Sequence, residues 1–181
     1  MTERIVDACC LINLYASSEE CSILRACGEF WVPPQVQREA LRICRCDPAD
    51  PTKLVSQDLD LSNAIAAGLI QTCQVEGPDE SDAFIRYAMQ LDDGEAACLA
   101  VAQVRRWTVA TDDRKARRIA SENGIALIST PELIERWAHA DSPHRKLLAE
   151  VLRRIERFAK FRPRRTDPLY AWWVELSEAD S

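Results

Sequence analysis

The feature that most constrains this chain is a repeated change of period. Short apolar runs pass directly into stretches whose apolar residues recur three and four apart. RIVD at 4–7 leads into ACCLINLYAS at 8–17, and FWVPP at 30–34 leads into PQVQREALRIC at 34–44. TVATD at 108–112 leads into DRKARRIASENG at 113–124, and IALIS at 125–129 opens a helical stretch reaching to about Lys160 with a break near Pro143. Between them, EECSILRACG, DESDAFIRYAMQLDD and GEAACLAVAQVRRW read as helices, and SNAIAAGLIQTCQVE as a short helix, Gly68 and a strand. RCDPADPTK reads as a loop, and the tail FRPRRTDPLYAWWVELSEADS shows no clear period. Strands separated by helices predict an α/β fold, a parallel sheet covered on both faces. Ligands of such sheets bind outside the carboxyl ends of the strands.

Composition narrows the class. A chain of 181 residues with 47% hydrophobic and 29% charged residues makes one compact domain with appendages. Its net charge of −6 excludes a surface that is basic all over, though not a local basic patch. Eight cysteines contain no CxxC spacing, Cys9, Cys10 and Cys98 sit in apolar runs, and the histidines are only His139 and His144, which disfavours zinc. Such thiols suit a reducing compartment. The N-terminus carries Glu3 and Asp7 and has no signal-peptide pattern, and no apolar run is long enough to span a bilayer. The expectation is a soluble, cytoplasmic protein.

The acids carry the functional reading. Asp7 ends the first strand, and Asp112 and Asp113 follow the strand TVA, so all three belong at the carboxyl edge. Glu39 is expected one or two turns into the helix after FWV, near that edge, and Glu95 in the first turn of the helix opened by Asp92. Each position has an ordinary explanation. Asp7 can cap a helix, Asp92 and Glu95 have capping-box spacing, Asp112 and Asp113 suit a helix start, and Glu39 can be a solvated helix residue. Capping does not explain why the acids gather at one edge. Converged carboxylates repel unless a cation or protons intervene. Hard oxygen ligands suit Mg²⁺ or Mn²⁺, which can activate water against a phosphate ester. A receiver domain lacks its strand-end lysine here, a DxDxT phosphatase lacks its second acid in DACCL, and no GxxxxGK[ST] is present.

IVDACCLINLYAS, VPPQVQREAL, LDDGEAACLAVA and TVATDDRKARRIASENGIALIST, in this order over residues 3–135, resemble the successive motifs of the PIN domain family. More narrowly, they resemble its VapC-like members with a GE third motif. The resemblance implies an α/β/α sandwich around four to five parallel strands, and a metal-dependent ribonuclease using Mg²⁺ or Mn²⁺ to activate water. Such proteins are commonly homodimeric and often toxins paired with an antitoxin protein. Carried over, Asp7 matches the first acid and Glu39 the second. Glu95 matches the third, with Asp93 as competitor. Thr111 and Asp113 match the threonine-x-acid motif, with Asp112 as substitute. Asn13 is near the site by helical spacing from Asp7.

The resemblance implies a nuclease domain over residues 1–140, leaving 141–181 as a basic helical extension. Between Asp141 and Arg165 nine basic residues face three acids. Such an arm could guide an RNA backbone, with Arg162, Arg164 and Arg165, and Arg114 beside the last acid, as the expected contacts. It could equally pair with the acidic body. Tyr170, Trp172 and Trp173 are expected to pack the tail onto the core, with base stacking the alternative. Apolar residues beyond one face between Ile23 and Ile43 predict a symmetric dimer.

Overall fold

The structure is a computed structural model that describes residues 3–39 and 41–179. The sheet is built from β1 (Arg4–Val6), β2 (Phe30–Val32), β5 (Ile70–Thr72), β6 (Thr108–Ala110) and β7 (Leu127–Ile128). Its five strands are all parallel, in the order β5-β2-β1-β6-β7. The chain leaves β1 toward one side through β2 and β5, then crosses back to add β6 and β7 on the other. The order therefore reverses between β1 and β6, which opens a crevice above their carboxyl ends.

Helices flank the sheet in two packed groups. One comprises α1 (Ala8–Ser17), α2 (Glu20–Cys27), α8 (Thr130–Asp141) and α9 (Arg145–Arg154), and the other α3 (Pro34–Arg38), α5 (Gly77–Ala88), α6 (Asp93–Arg105) and α7 (Arg114–Glu122). This is the expected three-layer α/β/α sandwich. α4 (Ser62–Ala66) leads into β5. Helix α6 is almost wholly buried from Ala96 to Ala102, because alanines, Cys98, Leu99 and Val101 let it lie flat on β1 and β6. Among the described residues, no helix is long and apolar enough to cross a membrane.

Two segments depart from the sequence reading. The helix expected over 34–44 ends at Arg38, and Arg42–Cys46 is instead strand β3, antiparallel to β4 (Leu54–Asp58). Ala40, inside the expected helix, lies outside the described residues. The supposed loop 45–53 contains the hairpin turn, where Asp47 and Asp50 side chains accept the Ala49 and Thr52 N–H groups. Secondly, the tail forms a helix, α10 (Tyr170–Glu178), with Trp173 fully buried and Leu176 nearly so. Leu148, Val151, Leu152, Ile155 and Trp173 belong to the same core as the sheet, so the extension packs on the domain. The extension as drawn to Ser181 and the domain as drawn from Met1 run outside the described residues at their ends.

Within the stretch that raised the expectation of a second copy, Ile23, Leu24, Val36 and Ile43 are buried within the chain, while Ala26 and Trp31 are partly buried.

Candidate metal centre at the sheet edge

Asp7 stands at the carboxyl end of β1 and caps α1, its Oδ1 accepting the Ala8 N–H at 2.7 Å. Capping uses only that oxygen. Oδ2 accepts the Thr111 hydroxyl at 2.8 Å and the Cys9 thiol at 3.1 Å. Thr111, fully buried at the end of β6, in turn accepts the Asp113 N–H at 3.1 Å. One hydroxyl thus fixes the first acid to the backbone of the last across the crevice. Asp113 caps α7 through Oδ1, which accepts Lys115 N and Ala116 N.

Asp112 and Asp113 are separated by their partners. Asp112 accepts the Asn13 amide at 2.9 Å, the Thr130 N–H at 2.9 Å and the Thr130 hydroxyl, so both oxygens are spent tying α1 to α8. Burial pushes its carboxyl up, and the bonds from Thr130 and Asn13 oppose that rise. Asn13 is therefore near the site as expected, as a partner of Asp112.

Glu39 reaches the edge by a route that differs from the sequence reading. It sits just past the end of α3 in extended conformation, with φ −62° and ψ 145°, and its N–H closes the helix on Gln35 and Val36 carbonyls. That break aims the side chain at the first turn of α6. Its Oε1 is buried and has no hydrogen-bond partner. It lies over Gly94, where a Cβ would collide with it. The glycine is a cradle for the carboxylate, and a glycine in a helical first turn was the available sequence signal.

Glu95 makes only half of the expected capping box. Asp92 Oδ1 accepts the Glu95 N–H at 2.9 Å, but among the described residues the box closes in both directions only at α8, between Ser129 and Glu132. The Glu95 carboxylate is thus left to the edge. Burial and then the charges of Asp92, Asp113 and Asp7 push it up to about 8. Burial followed by Asp92, Asp7 and Asp93 pushes Glu39 up to about 7. Asp7 is raised chiefly by burial, with Thr111 and Cys9 opposing. Asp92 and Asp93 themselves are exposed.

These acids sense one another's charge without touching. Among the described residues, no three acidic, histidine or cysteine side chains form a ready-made ligand set. The donors suit a hard divalent ion: oxygen only, one of them buried and unbonded, with Asp7, Glu39 and Glu95 at raised proton affinity. Neither histidine is at this edge, since His139 lies in the last turn of α8 and His144 caps α9.

A groove of about 700 Å³ adjoins Asp113 and is lined by Arg114, Arg117, Lys160, Arg162 and Arg164 among others. The sequence counts Lys160 in the basic arm without singling it out as a contact, and Arg117 was missed. Arg162 lines the groove with its guanidinium already committed, to Glu156 through two bonds of 2.8 Å and to Glu178 at 3.1 Å. Arg114, Arg164 and Arg165 are exposed.

The class that the fold and site define is a parallel α/β/α sheet carrying acids on both sides of its switch point. Within it, the chain belongs to the PIN domain family: the model DUF3368, a PIN domain, matches residues 3–164. PIN domains are generally nucleases. No curated protein and no solved structure matches the chain.

Proposed function

We propose that the protein is a metal-dependent endoribonuclease whose centre is Asp7, Glu39, Glu95 and Asp113. The observation that carries this reading is the buried, unbonded Oε1 of Glu39, cradled over Gly94 among acids of raised proton affinity. A buried acceptor without a donor is costly, and a cation relieves both that cost and the repulsion. Mg²⁺ or Mn²⁺ held there would lower the pKa of water and offset charge on the phosphate.

The chain's own residues set the geometry. Thr111 holds Asp7 Oδ2 while accepting the Asp113 N–H, which fixes the separation of the acids at the ends of β1 and β6. Asp113 keeps its second oxygen free of the cap, and the Glu95 carboxylate is not drawn back onto the Asp92 N–H. Asp93, exposed at the helix start, adds field more than contact. Asp112 serves the frame, because its oxygens are occupied by Thr130 and Asn13.

The test pairs two measurements on wild type and Asp7→Asn: thermal stabilisation by Mn²⁺, and cleavage of a single-stranded RNA with Mn²⁺. Stabilisation and cleavage by wild type, both lost in Asp7→Asn, are the expected result. Wild type that neither gains stability nor cuts RNA would instead be a PIN-type scaffold binding RNA or protein. Pairing as a toxin with an antitoxin is a further part of the proposal, tested by co-purification with the product of a neighbouring gene.

A further inference from the structure

The groove beside the acids is roofed by a built segment. Helix α9 ends in a π-helical turn, Ile155–Ala159, and the chain then reverses at Lys160 in the left-handed conformation, φ 58°. The π-helical turn is an uncommon backbone state, and Lys160 closes it as a left-handed C-cap, as Ser18, Arg106 and Ser142 close other helices. The turn and its cap redirect residues 160–168 across the start of α7 as a strap. The strap is clamped from below. Arg162 grips Glu156 with two bonds of 2.8 Å, the Trp173 indole donates to Glu156 Oε1 at 2.8 Å, and Phe161 meets Trp173 edge to face at 5.9 Å. Burial pushes the Glu156 carboxyl up, yet Arg162 and Trp173 hold it below its ordinary value.

With Arg162 spent on the clamp, the cations left for a ligand are Lys160 and Arg164 on the strap and Arg114 on the facing helix. Among the described residues none of these three makes an ion pair within the chain. Arg117 donates to the Thr111 carbonyl at 2.9 Å and so joins the groove wall to the end of β6. Asp167, the acid of the strap, accepts the Leu169 N–H through Oδ1 at 2.9 Å. A groove of about 700 Å³ is of small-ligand size.

We propose that Lys160, Arg164 and Arg114 form a phosphate subsite for the RNA backbone beside the acidic edge, and that Arg162 is a positioning residue that holds the strap. The subsite rests on the ribonuclease reading for its ligand. It also divides the basic arm: charge on the strap binds, and charge elsewhere on α9 does not.

Binding of a labelled single-stranded RNA is measured in EDTA, which stops metal-dependent turnover, between about 50 and 200 mM salt. The Lys160→Ala/Arg164→Ala pair, exposed and unlinked to the core, should weaken binding about tenfold and flatten the logarithmic salt slope by roughly 1.4, about 0.7 for each phosphate no longer neutralised. A control pair of equal charge outside the groove, Arg25→Ala/Lys146→Ala, should retain the wild-type slope. Glu156→Gln separates positioning from bulk charge. Removing an acid alone favours RNA, whereas releasing the strap weakens binding, and weaker binding is expected. Equal losses for the two pairs, tighter binding by Glu156→Gln, or wild type that does not bind would each overturn the subsite. Cleavage by wild type that survives such a result leaves the ribonuclease reading standing. Absent cleavage with a flattened slope in the groove pair removes that reading and leaves the subsite.

Discussion

The two ends of α6 treat buried carboxylates in opposite ways. At its carboxyl end Arg105 grips Glu80, 4% exposed, through bonds of 2.6 and 3.0 Å, and stacks over Trp107 at 5.1 Å. Burial pushes Glu80 up, but the Arg105 bonds bring it below its ordinary value. At its amino end Glu95 and the facing Glu39 have no arginine or lysine partner among the described residues, and both are raised. The helix dipole favours acids at the start and a cation at the end, so it accounts for both placements. It does not neutralise the cluster. The difference teaches that a chain able to pair a buried acid elsewhere leaves these acids without a cation of its own, which is what the proposed metal centre needs.

The comparison breaks most visibly at Glu95. Glu95→Gln should lower Mn²⁺-dependent RNA cleavage by about a hundredfold or more while metal-free thermal stability is kept or raised, because one repelling charge leaves the cluster. Full cleavage by this variant would move the third ligand to Asp93. Its counterpart is Glu80→Gln, which strands Arg105. Melting should show a loss on the order of 1–3 kcal/mol, or roughly 2–4 °C for each kcal/mol in a domain of this size.

Gly94→Ala tests the cradle itself. The new methyl displaces the end of the Glu39 side chain, which can move, so the fold should survive. Mn²⁺ affinity, followed by titration calorimetry, should fall by about tenfold. Unchanged affinity would separate Glu39 from the centre.

The smallest effect is in pH. Glu39 and Glu95 hold protons more tightly folded than unfolded, from an ordinary 4.5 to about 7 and about 8. Their stability contribution is therefore complete below about pH 4.5 and lost as pH rises through 7 and 8. Glu80 and Glu156, lowered in the fold, act only below that window. The metal-free melting temperature should decline by a few degrees across it, and saturating Mn²⁺ should remove the decline. A flat metal-free profile would mean the acids are not coupled.

The sheet strands and α1, α6 and α7 were legible because each carries its own period and its own stop, as Gly124 does after α7 with φ 68°. The hairpin was not. The apolar residues Val36, Leu41 and Ile43 fit a helix loosely, and what makes 42–46 a strand is its pairing with 54–58, a partner no local window contains. Helix α10 shows no clear period because its buried apolar side chains, Trp173 and Leu176, are few, and Trp173 answers to Glu156 and Phe161. At the site, Asp7, Glu95 and Asp113 were placed by strand ends and helix starts. Glu39 was expected at the right edge for the wrong reason, inside a helix that in fact ends just before it. What separates Asp112 from Asp113 was invisible, since it depends on Thr130 and Asn13 arriving from other elements.

The reversal of strand order between β1 and β6 also has a bearing on how the protein is born. β1 gains β2 within the first stretch of chain, but its other neighbour comes from Thr108–Ala110, and Asp7 meets Thr111 across 104 positions of sequence. Contacts of such long range form only after the intervening chain exists and its loop has closed. While the ribosome is still adding residues ahead of β6, Asp7 lacks its hydroxyl partner and the last acid is missing altogether. The strap, later still, completes the groove. The acidic edge is therefore incomplete until β6 and the residues that follow it have been made.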